Sequence, residues 1–271
     1  MRVQLIEIHK SFGPVRANDG ISMTVEPGVI HGLLGENGAG KSTLMKVLSG
    51  YLARDAGQIL LDGEPVDFTS PDEAIRRGIG MLHQDPLDFP PLTVLDNFLL
   101  GRDGHLVLDR AGARAELLAL ARRFNFPLDP DAEVASLTVG ERQQLEILRL
   151  LSLGVQVLIL DEPTTGISAP QKIQLFATLR QLAQEGKSVI FVSHKLEEVE
   201  ELCDRVTVLR RGRVAGEREM PCPAEDLVRL MFGQVLPPRP RRPVSLGPPT
   251  LRVEALRVAT YRLTLEPVTL E

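Results

Sequence analysis

The sequence predicts an α/β fold in which helices cover both faces of a mostly parallel sheet. Three short, almost wholly apolar runs, at residues 29–35, 157–160 and 189–193, are typical of buried parallel strands. Runs with helical spacing follow the first two of them, at residues 41–49 and 171–186. Because strands that alternate with helices form parallel sheets, this order predicts a doubly wound α/β core.

Two further elements are predicted beside this core. Asp62 and Gly63 stand between two strand-like runs in residues 58–66, and an Asp-Gly pair in that position predicts a two-residue hairpin turn. Residues 92–136 are rich in Leu, Ala and Arg at helical spacing and contain few β-branched residues. We therefore expect a helical insertion at about residues 86–150.

The end of the chain differs in composition from the rest. Residues 235–249, VLPPRPRRPVSLGPP, predict a semi-rigid, extended linker between a domain at residues 1–234 and a segment at residues 250–271. That segment repeats the pattern of the chain's opening. LRVEALRV resembles VQLIEIHK, and YRLTLEPVTLE resembles ISMTVEPGVI, with a Glu-Pro pair in both.

Composition argues against several classes of protein. A net charge of −5 disfavours a dedicated nucleic-acid binder, which normally carries a basic face. Two cysteines in 271 residues indicate no disulfide framework and favour a reducing compartment. The longest apolar stretch, residues 148–160, contains Arg149 and Gln156 and is shorter than the roughly 20 residues of a membrane-spanning helix. We therefore expect any membrane contact to be made through a partner.

One motif predicts a phosphate loop. GENGAGKS matches G-x-x-x-x-G-K-[ST] and stands between a predicted strand and a predicted helix. Its glycines allow backbone N–H groups to turn toward phosphates, and the helix adds the positive end of its dipole. Lys41 is expected to neutralise β- and γ-phosphate oxygens, and Ser42 to ligate Mg²⁺. The candidate nucleotide-binding residues of this segment are Gly35, Glu36, Asn37, Gly38, Ala39, Gly40, Lys41, Ser42 and Thr43.

Two carboxylates close the predicted strand VLIL, far along the chain. Ligands of an open α/β sheet bind at the carboxyl ends of its strands, where Asp161 and Glu162 stand. Asp161 is expected to hold the Mg²⁺, directly or through water, and Glu162 to polarise an attacking water as general base. Two solvated carboxylates at a strand end are the alternative, which the phosphate loop disfavours.

Two polar residues that end or follow apolar strands complete the candidate site. His194 closes VIFVSH, where it could bond the γ-phosphate region. Gln84, in GIGMLHQDP, could contact both Mg²⁺ and the attacking water from the start of the helical insertion. Taken singly, each residue is better explained by a structural role, but their order along the chain favours the catalytic interpretation.

These motifs, taken in order, resemble the nucleotide-binding domain of ATP-binding cassette (ABC) transporters. The resemblance covers residues 1 to about 235: a phosphate loop, a glutamine, an L-[ST]-x-G signature, a strand ending DEPT and a strand ending in histidine. It implies a P-loop NTPase core of the RecA-like type, with an antiparallel β subdomain and a helical insertion. It also implies that Phe12 stacks on the adenine of ATP and that two such domains enclose two ATP molecules. The partner of this domain would be a second ABC domain or, in a homodimer, a second copy of the chain.

The resemblance further implies a place in the cell and a set of partners. Such a domain is peripheral, bound at the cytoplasmic face of the membrane to integral membrane permease subunits. It works with a substrate-binding protein indirectly, and it does not contact nucleic acid. The groove that receives the permease is expected near residues 84–92.

The signature departs from the family's LSGGQ pattern at two positions. Thr138 keeps the hydroxyl and Gly140 the second glycine, so these residues and the backbone N–H of Val139 are expected to contact ATP bound to the other domain. Val139 requires a loop conformation open to a β-branched residue. Glu141 replaces a neutral amide, which is unfavourable only if its carboxylate faces the nucleotide.

LTVGERQQLEI nevertheless resembles the form found in the first of two fused domains in importers of simple sugars and nucleosides. Val139 is therefore interpreted as a mark of that subfamily; a damaged half-site is the alternative. Ser168 stands where the wider family has an aspartate that couples the two nucleotide sites. The resemblance implies that this subfamily often has a hydroxyl residue there, although the change could weaken that coupling. Residues 250–271 are then the truncated start of a second ABC domain, and a small self-contained appendage is the other possibility.

The main functional prediction is an ATP-hydrolysing motor subunit of an importer, for simple sugars or nucleosides. A soluble ABC-type ATPase that acts on the ribosome or DNA is the alternative, but the sequence has neither sustained heptads nor a basic stripe. A GTPase is a third possibility, which the absence of an N-K-x-D motif from the sequence disfavours.

Overall fold

The computed structural model describes residues 1–102, 109–233, 251–259 and 264–270. The chain divides into two compact units, Met1–Val235 and Leu236–Glu271, each of which is described by itself. The predicted linker at residues 235–249 lies outside the described residues.

The first unit contains a four-stranded antiparallel sheet in the order β2-β1-β4-β5. Its strands are β1 Val3–Phe12, β2 Val15–Val25, β4 Ala56–Leu61 and β5 Glu64–Val66. Val3 pairs with Val25 on one side and with Leu61 on the other. Leu61 also pairs with Glu64, so the predicted two-residue turn at Asp62 and Gly63 is confirmed.

The central sheet has six strands in the order β10-β9-β3-β8-β7-β6. They are β3 Ile30–Leu34, β6 Ile79–Leu82, β7 Val157–Asp161, β8 Ser188–Ser193, β9 Arg205–Arg210 and β10 Arg213–Glu219. All neighbours are parallel except β9 and β10. Every residue of β3, β7 and β8 is buried, which is why these strands are almost wholly apolar in sequence.

Eight helices and one 3-10 turn are described in the first unit. The helices are α1 Lys41–Leu48, α2 Pro71–Arg76, α3 Val94–Leu99, α4 Arg110–Phe124, α5 Val139–Ser152, α6 Ala169–Gln184, α7 Leu196–Leu202 and α8 Ala224–Phe232; the turn is Val134–Ser136. Helices α3, α4 and most of α5 lie in the predicted helical insertion. Side chains cap the first two: Thr93 accepts a bond from the backbone of α3, and Asp109 from that of α4.

The apolar core lies on both faces of the central sheet. Each face of the sheet has its own cluster of buried apolar side chains, and alternate residues of β7 belong to different clusters. Val157 and Ile159 pack in the cluster that contains Met45 of α1, whereas Leu158 and Leu160 pack in the cluster of the other face. A strand that is apolar on both faces supplies both clusters, and its carboxyl end carries the candidate site. Among the described residues, no helix is long and apolar enough to cross a membrane.

The second unit contains an antiparallel strand pair, β11 Val253–Ala259 and β12 Thr264–Leu270. Its register differs from that of β1 and β2. Val253 pairs with Leu270, beyond the Glu-Pro pair, whereas Val3 pairs with Val25, ahead of it. The likeness in sequence between the two ends of the chain therefore extends to an antiparallel pair but not to its register.

Candidate active site

The predicted phosphate loop connects β3 to α1. Gly40 is the residue before α1 and has a φ of 100°, a left-handed conformation that favours glycine. A Cβ atom at this position would lie 2.2 Å from the carbonyl oxygen of Ala17, so a side chain is also excluded by space. The amide of Asn18 donates to the Gly40 carbonyl at 3.0 Å, which fixes the loop against β2.

Lys41 folds back over this loop. Its ammonium donates to the carbonyl oxygens of Gly35 at 2.7 Å and Glu36 at 3.1 Å, and the residue is buried. Burial lowers the pKa of Lys41, whereas the nearby carboxylates of Glu162 and Asp161 raise it. A buried ammonium held by neutral carbonyl groups fits the anionic oxygens of a polyphosphate.

Ser42 and Asp161 meet across 119 positions of sequence. The Ser42 hydroxyl donates to Asp161 Oδ1 at 3.2 Å. Burial raises the pKa of the Asp161 carboxyl, and the bond from Ser42 opposes that change. Two oxygen atoms at this separation fit neighbouring positions around Mg²⁺, which takes one or two protein ligands and completes its shell with water and phosphate. In the described residues no cluster of three or more His, Cys, Asp or Glu residues could hold a metal without such help.

Glu162 and His194 come from neighbouring strands. Glu162 follows β7 and has a φ of 50°, a left-handed conformation that is uncommon for glutamate. Its backbone N–H donates to the Val192 carbonyl of β8 at 3.0 Å. His194 follows β8, and its Nδ1 lies 2.9 Å from Glu162 Oε1. The two side chains are therefore held as a pair by strands that are themselves buried.

A buried carboxylate supports this end of β8. Glu198 of α7 accepts a bond from the Ser193 hydroxyl at 3.0 Å and one from the Lys195 ammonium at 3.0 Å. Lys195 also donates to the Thr164 hydroxyl at 3.1 Å, which ties the chain after His194 to the chain after Glu162. Sequence reasoning missed Glu198. The available signal was a glutamate four residues after the histidine. At that spacing, a side chain in the first turn of a helix can bond to the residues that precede the helix.

Most of the predicted site residues line one cleft of about 610 Å³. Of the predicted residues, those that line it are Phe12, Asn37, Gly38, Ala39, Gly40, Lys41, Ser42, Thr43, Gln84 and Glu162. Asp161 and His194 reach it through their bonds to Ser42 and Glu162. The ring of Phe12 is half exposed, and the Lys10 ammonium lies 5.7 Å from its centre. The lining of the cleft thus includes both an exposed aromatic ring and the Lys41 ammonium.

The signature residues do not line this cleft, and they begin α5 instead. Val139 is the first helical residue, so its backbone conformation is one that a β-branched residue adopts without strain. The Glu141 carboxylate turns back to accept bonds from the backbone N–H and the hydroxyl of Thr138, at 2.8 and 2.7 Å. Thr138 in turn caps the Glu141 N–H at 3.3 Å.

Gln171 packs against the signature. Its side-chain amide donates to the Thr138 hydroxyl at 3.1 Å. A Cβ atom on Gly140 would lie 2.6 Å from the Gln171 amide carbon, so a side chain there would displace the Gln171 amide from this contact. Gln171 itself lies in the first turn of α6, where it forms a second capping box with Ser168. No sequence pattern indicates a contact between these two helix starts, because 33 positions separate Thr138 from Gln171.

Comparison with known proteins identifies the family to which a chain with this site belongs. The family model described as ABC transporter matches residues 18–165, more than half of the chain. The chain belongs to the ABC transporter family. It is 42% identical over 264 residues to the ribose import ATP-binding protein RbsA of Chromobacterium violaceum, covering 94% of this chain and 52% of that protein. It is 44% identical over 252 residues to ribose import ATP-binding protein RbsA 1 of Rubrobacter xylanophilus, covering 92% and 50%.

Solved structures of the family have the same fold. A nucleotide-free ATP-binding cassette from an ABC transporter matches with a TM-score of 0.73 at 24% identity, covering 86% of this chain and 96% of that one. A dimeric bacterial ABC transporter cassette matches with a TM-score of 0.72 at 21% identity, covering 81% and 99%. The predicted fold class is confirmed. The chain spans about half the length of the curated relatives it matches.

Proposed function

We propose that this chain binds and hydrolyses ATP as a motor domain of an ABC importer for a simple sugar. One observation carries the proposal: the Ser42–Asp161 and Glu162–His194 pairs meet at the phosphate-loop cleft, although each joins distant parts of the chain. Relatives at about 40% identity are named ribose import ATP-binding proteins, which supports a sugar rather than a nucleoside as the transported class.

The residues divide the chemistry between them. Phe12 is proposed to stack on adenine, and the phosphate loop to cradle the phosphates with Lys41 as counter-charge. Ser42, Asp161 and Gln84 would hold Mg²⁺, which neutralises charge on the β- and γ-phosphate oxygens when it is bound. Glu162 would accept a proton from the attacking water, and His194 would orient that carboxylate through its 2.9 Å contact.

The signature requires a second domain. Thr138, Val139 and Gly140 lie outside the cleft of their own chain, so we propose that they contact ATP bound by a second ABC domain or a second copy of this chain. Closure of the pair on ATP and its release after hydrolysis would drive integral membrane permease subunits, with a substrate-binding protein acting through them. This assigns the domain to the cytoplasmic face of the membrane.

The domain organisation follows from the same proposal. Residues 1–234 would form the first ABC domain, residues 235–249 a linker, and residues 250–271 the truncated start of a second. The relatives are about twice as long as the matched segment, which supports this division. The alternative is an appendage complete in itself, although roughly 22 residues cannot bury a core of their own.

Two measurements test the proposal. Nucleotide preference comes first: the chain should bind MgATP and release phosphate slowly, with a specific activity that rises with protein concentration as paired domains form. Hydrolysis of GTP without a response to ATP would refute it. Uptake of labelled ribose and of labelled adenosine would then decide the substrate class, measured in vesicles that contain this protein and integral membrane permease subunits. Uptake of adenosine alone would exclude a sugar importer.

A further inference from the structure

The hairpin between β9 and β10 carries a charged residue into the nucleotide cleft. Arg210 pairs with Arg213, so the turn consists of two residues, Arg211 and Gly212. Both have positive φ, at 50° and 78°, as hairpin turns of this length require. Glycine, asparagine or aspartate normally takes the first of these positions. An arginine there incurs backbone strain that those residues avoid, and such strain is most often found at functional sites.

Backbone bonds fix this turn beside the phosphate loop. The Gly212 N–H donates to the carbonyl of Ala39 at 3.0 Å, and the Gly212 carbonyl accepts from the N–H of Asp19 at 2.8 Å. Space is also limited on this side, because a Cβ atom on Gly212 would lie 3.0 Å from the Ala17 carbonyl oxygen. The turn is therefore held between the loop and β2, the strand that follows Phe12.

The charge of Arg211 is not balanced locally. Arg211 lines the cleft together with Phe12 and Arg16. Arg213 forms a two-bond contact with Asp19, at 2.9 and 2.6 Å, and Arg16 lies 3.8 Å from the same carboxylate. Within the part of the chain that the structure describes, no carboxylate comes within 4.0 Å of the Arg211 guanidinium.

The geometry points to Arg211 as a nucleotide-binding residue whose guanidinium contacts the α- and β-phosphates; this rests on the proposed function. The turn is bonded to Ala39, two residues before Lys41 in the phosphate loop, and Arg211 lines the same cleft as Phe12 and Lys41. The α- and β-phosphates are common to ADP and ATP, so the assigned contact would be made to both nucleotides. A guanidinium suits this task, since its fork of donors matches phosphate oxygens.

Binding of ADP and of ATP to the full chain tests this assignment. Arg211→Asn removes the charge and places at φ 50° a residue that tolerates it, so folding should be unharmed and Tm unchanged or higher. We expect affinity for both nucleotides to fall about three- to tenfold, by the same factor, and Arg211→Lys to restore part of it. The loss should shrink at high salt, because it is electrostatic.

Arg210→Gln is the matched control, since it removes a neighbouring charge of the same hairpin that does not line the cleft. It should bind both nucleotides as the unaltered chain does. Equal affinity of Arg211→Asn and the unaltered chain would overturn the assignment and leave the proposed function intact, as would a loss confined to ATP. Failure of the unaltered chain and the control to bind either nucleotide would instead refute the proposed function, and Arg211's role with it.

Discussion

The side-chain pairs that hold Asp161 and Glu162 in the nucleotide cleft join residues far apart in the chain, whereas the bonds of the signature's capping box join residues three apart. Ser42 and Asp161 are separated by 119 positions and Glu162 and His194 by 32, and the strands that carry the carboxylates are buried. Thr138 and Glu141 bond within a single exposed turn. The first region is thus a product of the whole fold, and the second is a local motif that already satisfies its own polar groups.

Because of this difference, the cleft should function within one chain, whereas the signature should need a second domain. A cleft that is assembled by the fold should bind nucleotide in one chain on its own. The hydroxyl and N–H of Thr138 are bonded to Glu141, and they must exchange those bonds for bonds to a phosphate brought by a second domain. Variants that weaken nucleotide binding in the cleft should therefore be detectable in a single chain, whereas the effects of variants in the signature should require paired domains.

The largest effect is expected at Glu162. Glu162→Gln keeps the shape of the side chain and removes the base, so phosphate release should fall by a factor of about 10² to 10⁴ while ATP affinity is retained. Single-turnover phosphate release and equilibrium ATP binding measure the two quantities. Glu197→Gln, at an exposed position on α7, is the control and should leave both unchanged. Unchanged turnover in Glu162→Gln would remove this residue from the role of base.

A binding defect is expected at Lys41. Lys41→Ala removes the buried ammonium, and a hydrogen bond to a charged group contributes about 1.5–3 kcal/mol, so ATP affinity should fall about 10- to 100-fold. Isothermal titration of the single chain with MgATP measures it. Because the cleft belongs to one chain, the loss should be the same at all protein concentrations. Normal ATP binding by this variant would contradict the phosphate-loop assignment.

A gain of a few fold is expected at Glu141 in paired domains. Glu141→Gln removes a carboxylate from the helix start to which a second domain's phosphate would bind, although it also weakens the capping box. In a chain that also carries Glu162→Gln, ATP-induced pairing should rise about two- to fivefold, as judged by analytical ultracentrifugation. A fall in pairing would show that Glu141 supports the signature rather than competes with phosphate. ATP affinity of the single chain should not change.

The smallest effect is expected at Val139. Its backbone is already helical, so Val139→Gly should change pairing and hydrolysis by less than about twofold. Gly140→Asp is the contrasting variant: it introduces a side chain where a Cβ atom would lie 2.6 Å from the Gln171 amide carbon, and adds a negative charge, so it should abolish both. A large gain on Val139→Gly would reverse the subfamily interpretation and show a naturally impaired half-site.

The same contrast separates what the sequence predicts from what it does not. Strands β3, β7 and β8 and the turn at Asp62 could be predicted because burial on both faces and turn chemistry leave local patterns. The proximity of Asp161 to Ser42 could also be predicted, because strand ends and phosphate loops meet at one edge of a parallel sheet.

Other features left local patterns too weak to indicate their contacts. Glu198 and Gln171 are ordinary polar residues in helices, and only the packing of those helices brings them to His194's strand and to Thr138. Arg211 resembles any surface arginine until its φ and its position beside the cleft are known. The register of β11 and β12 also differs from that of the strands they resemble in sequence, because pairing depends on the length of the hairpin as well as on its residues.

Helices α5 and α6 each begin with a capping box, and one hydrogen bond links the two boxes. The Thr138 hydroxyl serves the box of α5 and also accepts the amide of Gln171, a member of the box of α6. Fraying of either first turn therefore breaks a bond of the other, so the two turns form one cooperative opening unit. Their amide hydrogens should exchange with solvent at a common rate, faster than those of the buried strands. A ligand that clamps one helix start would slow exchange at both.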